Sequence, residues 1–309
     1  MDLKAPVAAL VVCVVMLTGC GAAGEARPDS RTPVPNGLEA GCPEPETEVR
    51  FPEGDLPEGA TRVRLCPGPP LSDYSGEPVQ GPPDLLTDAV SNLVSLVNRL
   101  DSVETDTECP FDGGPVLVYW FGYRDGDWRA VRFDSYGCNQ LTLGEGLRRR
   151  GGTELAIAFT EALMSQRRDQ EAPGVSRHVS CPVSPVAVAH SGLVLDQVEL
   201  AAAVWCVSPR AQQVREVAIP PDLLARLNAD LWPGLATKSR RPCPEAISSL
   251  IEGITLWGDA VGFGIGACGD VYPLHGATLL DDHGRHYLTP ALDAALTALP
   301  LGPLVDHRN

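Results

Sequence analysis

A few groups of residues in this sequence have the types and spacing for chemistry. Asp281-Asp282-His283-Gly284-Arg285-His286 sets two imidazoles three positions apart beside carboxylates. Such a set suits a divalent metal, with Asp282, His283 and His286 as the candidate ligands. The same letters read more simply as a polar loop ahead of the last helix, so no metal is assigned and no cofactor is expected. His178, His190, His275 and His307 are isolated along the chain. Gly264-Ile265-Gly266-Ala267-Cys268-Gly269 matches G-x-G-x-x-G. A dinucleotide site needs that pattern between a strand and a helix, with an acidic residue about 20 positions further on. Here it contains a cysteine and lies in a strand-like run, so strand glycines are the better reading. There is no G-x-S-x-G, and no spacing of Asp and Glu singles out an acid/base pair. No catalytic residue is assigned.

The cysteines are more regular. Ten are present. Cys13 and Cys20 belong to the N-terminus, where an apolar run from Ala5 to Leu17 precedes Leu17-Thr18-Gly19-Cys20. That run is too short for a comfortable membrane span and reads as a secretory signal. Its end resembles a bacterial lipobox, in which the cysteine receives a diacylglyceryl group and becomes the mature N-terminus. Residues 1–19 are therefore expected to be a signal peptide, and 20–41, rich in Gly, Ala, Pro and charge, a lipidated Cys20 with a flexible tether. The eight remaining cysteines, an even number in an exported chain, imply disulfides. Roughly a hundred pairings are possible. Four times, however, a Cys-Pro is followed by a second cysteine 24 to 29 residues later. That repeat selects Cys42–Cys66, Cys109–Cys138, Cys181–Cys206 and Cys243–Cys268.

The elements that position these cysteines are clearest between Cys109 and Cys138. Two strand-like runs flank Arg124-Asp125-Gly126-Asp127, and Asp-Gly between apolar runs signals a tight hairpin. With Asp125 and Gly126 as a two-residue loop, Tyr123 opposes Trp128 and Val118 opposes Phe133. One face is then Val116, Val118, Trp120, Val131 and Phe133, an ordinary core face. The other carries Tyr119, Phe121, Tyr123, Trp128 and Arg132. If helices cover only one side of the sheet, those five residues form an exposed binding face, since Tyr, Trp and Arg are the usual hot-spot residues.

Helical stripes follow the hairpins: Leu86, Val90, Leu93, Val94 and Val97; Leu155, Phe159, Ala162 and Leu163 after an N-cap at Thr153; Leu223, Leu227 and Leu231; Leu292, Leu296 and Leu299 after Thr289-Pro290. Pro82-Pro83-Asp84-Leu85-Leu86 and Pro220-Pro221-Asp222-Leu223-Leu224 are identical and are read as matching helix starts. The expected fold is α+β: four strand-strand-helix repeats in two halves, 42–172 and 178–305, each a four-stranded antiparallel sheet with helices on one face.

A net charge of −16 lacks the basic footprint of a nucleic-acid binder. It also argues against an anionic lipid surface as a partner for the folded part. Arg148-Arg149-Arg150 and the run from Lys238 to Arg241 are small basic islands, read as solvated loop charge or contacts to a partner or an anionic polymer.

The lipobox, the repeated Cys-Pro units and the Tyr-Arg-Asp-Gly hairpin together resemble an uncharacterised family of secreted lipoproteins from actinobacteria. The resemblance implies lipid anchoring and no particular activity. A looser analogy of architecture links the chain to secreted β-lactamase-inhibitor proteins. The expected function is therefore a non-catalytic binding or scaffold lipoprotein on the outer face of the cell membrane. Its partners would be the membrane, through the lipid on Cys20, and an envelope protein or polymer, with no nucleic acid. The alternatives are an envelope hydrolase or metal-dependent enzyme, and an inhibitor of secreted enzymes.

Overall fold

Alternating runs of β-branched and aromatic residues become strands, and the four apolar stripes become helices. The computed structural model describes residues 38, 40–43, 54–69, 79–103, 116–134, 139–144, 147–174, 178–182, 192–193, 199–210, 213–235, 247–266, 269–274 and 286–306. All of them belong to one unit, Pro33–Asn309. In chain order the elements are β1 (Ala60–Pro67), α1 (Val90–Arg99), β2 (Ser102–Val103), β3 (Val116–Tyr123), β4 (Trp128–Asp134), β5 (Gln140–Gly144), β6 (Leu147–Arg150), α2 (Gly152–Arg168), β7 (Leu200–Arg210), β8 (Gln213–Ala218), α3 (Pro221–Leu235), β9 (Ile247–Thr255), β10 (Ala260–Gly266), β11 (Asp270–Leu274), β12 (His286–Tyr287), α4 (Pro290–Thr297) and β13 (Val305–Asp306).

The fold is α+β, with two antiparallel sheets. One has six strands in the order β1-β3-β4-β5-β6-β2 and the other seven in the order β12-β11-β10-β9-β7-β8-β13, where β12 and β13 are two residues long. The expectation of four strands per sheet is thereby corrected. The apolar residues just after the second cysteine of a unit, Leu141 with Leu143 and Val271 with Leu274, build third meander strands β5 and β11. One contiguous apolar core includes buried residues of all four helices and one face of each sheet. Smaller apolar clusters lie on the opposite faces. Leu38, Cys66, Val118, Trp120, Trp128 and Ala130 form one, and Cys181, Val204, Cys206, Val214 and Leu250 the other. No helix among the described residues is long and apolar enough to cross a membrane.

The hairpin β3–β4 departs from the expected register by one residue. Tyr123 N–H donates to Asp127 C=O (2.9 Å) and Gly126 N–H to Tyr123 C=O (3.1 Å). The loop is thus three residues, a turn over Arg124 and Asp125 followed by Gly126 at φ +85°. That is the bulged alternative to the two-residue turn, and only glycine takes such a φ without strain. Gly122 consequently opposes Trp128, Trp120 opposes Ala130 and Tyr119 opposes Val131. A slip of one exchanges faces. Tyr119 and Phe121 join Leu117, Val131 and Phe133 in the main core, while Trp128 passes to the other face with Val118 and Trp120.

Three helix starts also differ from expectation, the first being α1, which begins at Val90 and not at the Pro82–Leu86 pentapeptide. The N-terminus of α2 is capped from outside: Gly151 and Gly152 donate to Asn139 C=O, and Thr153 N–H donates to Asn139 Oδ1 (2.7 Å). Thr153 itself lies inside the first turn. Thr289 is the N-cap of α4 with Pro290 as its first residue, as the sequence implies, but its hydroxyl makes no capping bond.

Candidate functional site

The predicted disulfides can be followed for two pairs. Cys42–Cys66 and Cys181–Cys206 are bonded, with Cα–Cα separations of 5.5 and 5.8 Å. Each fastens an upstream segment to a strand beside its sheet's central hairpin: Cys66 on β1 opposes Val118, and Cys206 on β7 opposes Leu250. Cys109–Cys138, Cys243–Cys268, Cys20, Asp282 and His283 lie outside the described residues. His286 is in β12, opposite Val271. Gly264 and Gly266 are in β10, and the turn after them leads into strand β11 rather than a helix, so the geometry of a dinucleotide loop is not formed.

The five residues expected on one exposed aromatic face do not share a face. Tyr119 and Phe121 are fully buried, and Tyr119 packs edge-on against Phe159 of α2 at 5.4 Å between ring centroids. Helix α2 covers the side that was expected to be open. Burial pushes the Tyr119 hydroxyl well above its ordinary pKa, and it finds no hydrogen-bond partner among the described residues. Tyr123 is half-buried and donates to Pro57 C=O (2.8 Å). Burial pushes its pKa up to about 12; Arg129 opposes the rise, and Asp127 and Asp125 add to it. Trp128 lies on the far side of the sheet under Arg62, whose guanidinium is 5.0 Å from the ring centroid. Arg132 shares that far side and pairs with Asp134 (2.8 Å).

Sequence reasoning missed the convergence at the C-terminal end of α2. The guanidinium of Arg167 is clamped between two carboxylates from distant parts of the chain. Nε and Nη2 donate to Asp84 (3.0 and 2.6 Å), and Nη1 and Nη2 donate to Asp259 (2.7 and 3.0 Å). Asp259 is fixed in turn by Thr255, whose hydroxyl donates to it (3.0 Å) and accepts from the backbone N–H of Trp257 and Asp259 (both 3.1 Å). The Trp257 ring packs 5.0 Å from the guanidinium carbon. Burial opposes the charge on Arg167, but hydrogen bonds and attraction to both aspartates outweigh it and hold the group cationic. Beside it, Gln166 Oε1 accepts from Thr87 N–H (2.7 Å) and Asp88 N–H (3.1 Å), while its Nε2 donates to Leu85 C=O (2.8 Å).

A hollow of about 240 Å³ opens against this clamp, lined by Met164, Arg168, Glu199, Leu256 and Trp257 as well as the clamped groups. Leu256 is one of two large apolar side chains exposed among the described residues. All three nitrogens of Arg167 are engaged internally, so what the hollow offers a visitor is chiefly an apolar wall with Arg168 and Glu199 at its edge. No group of three His, Cys, Asp or Glu is arranged to hold a metal among the described residues. No family model, curated protein or solved structure matches the chain. A sequence signal for the clamp existed only in part. Asp84 falls in the repeated pentapeptide and Asp259 in a Gly-Asp turn, but nothing in the spacing points to Arg167.

Proposed function

We propose that the protein is a lipid-anchored extracytoplasmic lipoprotein of the cell envelope that binds or scaffolds other components without catalysis. The observation that carries the reading is the pair of disulfides, Cys42–Cys66 and Cys181–Cys206. Such bonds persist in oxidising compartments outside the cytoplasm, which agrees with an export signal ending in a lipobox at Cys20. The buried charges at the end of α2 support a binding role over a chemical one. Arg167, Asp84 and Asp259 direct their hydrogen bonds at each other, and the side chains left facing solvent nearby, Leu256 and Trp257, are suited to contact.

In this reading the chain is built as two related halves, about 42–172 and 178–305. Support comes from the shared strand order, β1-β3-β4-β5 against β7-β9-β10-β11, and from Cys66 and Cys206 on corresponding strands. The resemblance to actinobacterial secreted lipoproteins belongs to the same proposal. An enzyme using Asp282, His283 and His286, or an inhibitor of secreted enzymes, has no specific observation behind it among the described residues.

Intact-mass analysis of protein extracted from membranes tests the proposal. The expected species begins at Cys20, carries a lipid adduct, and resists thiol alkylation until reduced. A chain with no lipid and freely alkylated cysteines would overturn it.

A further inference from the structure

The basic island Arg148-Arg149-Arg150 is split by the geometry of β6. Side chains alternate between faces, so Arg149 points one way and Arg148 and Arg150 the other. Arg149 is buried toward the helices and donates to Leu100 C=O (2.6 Å) and to Asp55. Arg148 and Arg150 lie on the opposite face and make no side-chain hydrogen bond or ion pair among the described residues.

The register shows what accompanies them. Cys66 opposes Val118, Val118 opposes Arg132, Arg132 opposes Thr142, and Thr142 opposes Arg148. These five residues form one row across five strands on one face. The adjacent row runs Val116, Asp134, Gln140, Arg150. With neighbouring strands about 4.8 Å apart, Arg132 and Arg148 stand about 10 Å apart with a hydroxyl between them. On the described part of this face of β3 to β6, Asp134 is the one acidic residue, and it is paired with Arg132 (2.8 Å). With Arg132 neutralised by that pair, the unpaired cations on this part of the face are Arg148, half-buried, and Arg150, exposed.

The same face receives the N-terminal segment. Leu38, 2 % exposed, packs with Val118, Trp120, Trp128 and Ala130, and its carbonyl accepts from Arg64 Nε (2.6 Å). Cys42 is bonded to Cys66 at the head of the arginine row. Leu38 lies 18 positions after Cys20. Even fully extended, that length of chain reaches at most about 60 Å, so a lipid on Cys20 would hold the membrane within that distance of this face.

We infer that the outer face of β5 and β6 docks onto an anionic membrane surface, with Arg148 and Arg150 meeting lipid phosphates. The inference rests on the lipid-anchor reading for its choice of partner: the point at which the tether joins the domain selects the membrane over a soluble polyanion. A lipid chain plus a basic patch is a known two-part route to stable attachment. Net charge argued against lipid contact in the sequence; the arrangement of that charge is what reverses the conclusion.

The test uses the full chain with Cys20→Ser, so that no lipid holds it, titrated with vesicles of phosphatidylcholine with or without phosphatidylglycerol. Binding is expected only to the vesicles that contain phosphatidylglycerol. R148Q/R150Q is expected to weaken it about thirtyfold, at roughly fivefold per arginine, with an unchanged unfolding midpoint. Arg215 and Arg226 are exposed on β8 and α3, and R215Q/R226Q, the same loss of charge, should stay within about twofold by the same reasoning. Thr142→Glu, which removes no cation, should also weaken binding. Equal binding to both vesicle types, equal loss in the two double variants, or binding to inorganic polyphosphate without a preference for phosphatidylglycerol would each overturn the inference. Failure of the anchor reading is seen separately, as a wild-type chain without lipid mass, because the vesicle titration does not use the lipid.

Discussion

Pro82-Pro83-Asp84-Leu85-Leu86 and Pro220-Pro221-Asp222-Leu223-Leu224 share every letter and almost nothing else. The second copy does what the letters suggest. Pro221 opens α3, Leu224 N–H donates to Pro220 C=O (2.8 Å), and Leu223 and Leu224 face the core. Proline at the first helical position costs no hydrogen bond, because that N–H has no partner in a helix anyway. The first copy is not helical. Leu86 forms a bridge with Val63 on β1, through two backbone hydrogen bonds of 2.8 and 3.0 Å. Helix α1 begins only at Val90, after Ala89 in a left-handed conformation.

The backbone contacts show which positions truly correspond. Val63 and Ala203 each lie three residues before a bonded cysteine. Val63 bonds to Leu86, whereas Ala203 accepts from Ile219 (2.9 Å). Ile219, which precedes the second pentapeptide, therefore plays the part of Leu86, which ends the first. The repeated letters are out of register with the repeated geometry. What decides between strand bridge and helix start is tertiary: Arg167 takes Asp84, and Gln166 takes the backbone of Leu85, Thr87 and Asp88, whereas Asp222 is left exposed in the first turn of α3.

That explanation can be broken in steps. Arg167→Ala should do the most damage, because it leaves two carboxylates facing each other with Asp259 buried. Removing one partner of a buried pair costs about 3–5 kcal/mol, to be read from denaturant unfolding; a loss below about 1 kcal/mol, the value of a surface pair, would mean that the clamp is incidental. Gln166→Ala should cost about 2 kcal/mol by stranding the N–H groups of Thr87 and Asp88 and the carbonyl of Leu85. Hydrogen exchange at Thr87 and Asp88 should accelerate, with no change in α3. The direct comparison is Asp84→Asn against Asp222→Asn. The first weakens a charge-assisted contact to Arg167 and should cost about 2 kcal/mol. The second removes only an exposed charge near a helix N-terminus and should stay under about 0.5 kcal/mol. Equal effects would show that the two copies are held alike. The smallest effect should be a gain: Ala89 has φ +55°, and Ala89→Gly relieves that strain by about 1 kcal/mol, seen as a higher unfolding midpoint.

Much of the architecture was legible because it depends on local patterning. The stripe of Val90, Leu93, Val94 and Val97 is the buried face of α1, and the Cys-Pro spacing anticipated both of the disulfides that can be followed. The hairpin shows where legibility stops. Asp125-Gly126 announces a turn, but whether the loop has two residues or three depends on whether Gly126 is a central residue or the bulge. That single choice moved Trp128 across the sheet and sent Tyr119 and Phe121 into the core. The clamp was illegible for a different reason. Arg167 is 83 residues from Asp84 and 92 from Asp259, and no periodicity relates residues that meet only after the sheets and helices have packed.

The bond between Cys42 and Cys66 also decides how the domain answers a pull. A load entering from the N-terminal side reaches Leu38, which Arg64 grips by its carbonyl, and then Cys42. There the covalent path crosses the sulfurs to Cys66 and continues into Pro67. Residues 43–65, including most of β1, are shunted out of the line of tension. They cannot be drawn out as slack while the bond is intact. Reduction would return those residues to the load path, so the oxidation state of one cysteine pair sets how much chain a pull on the N-terminal side can draw out.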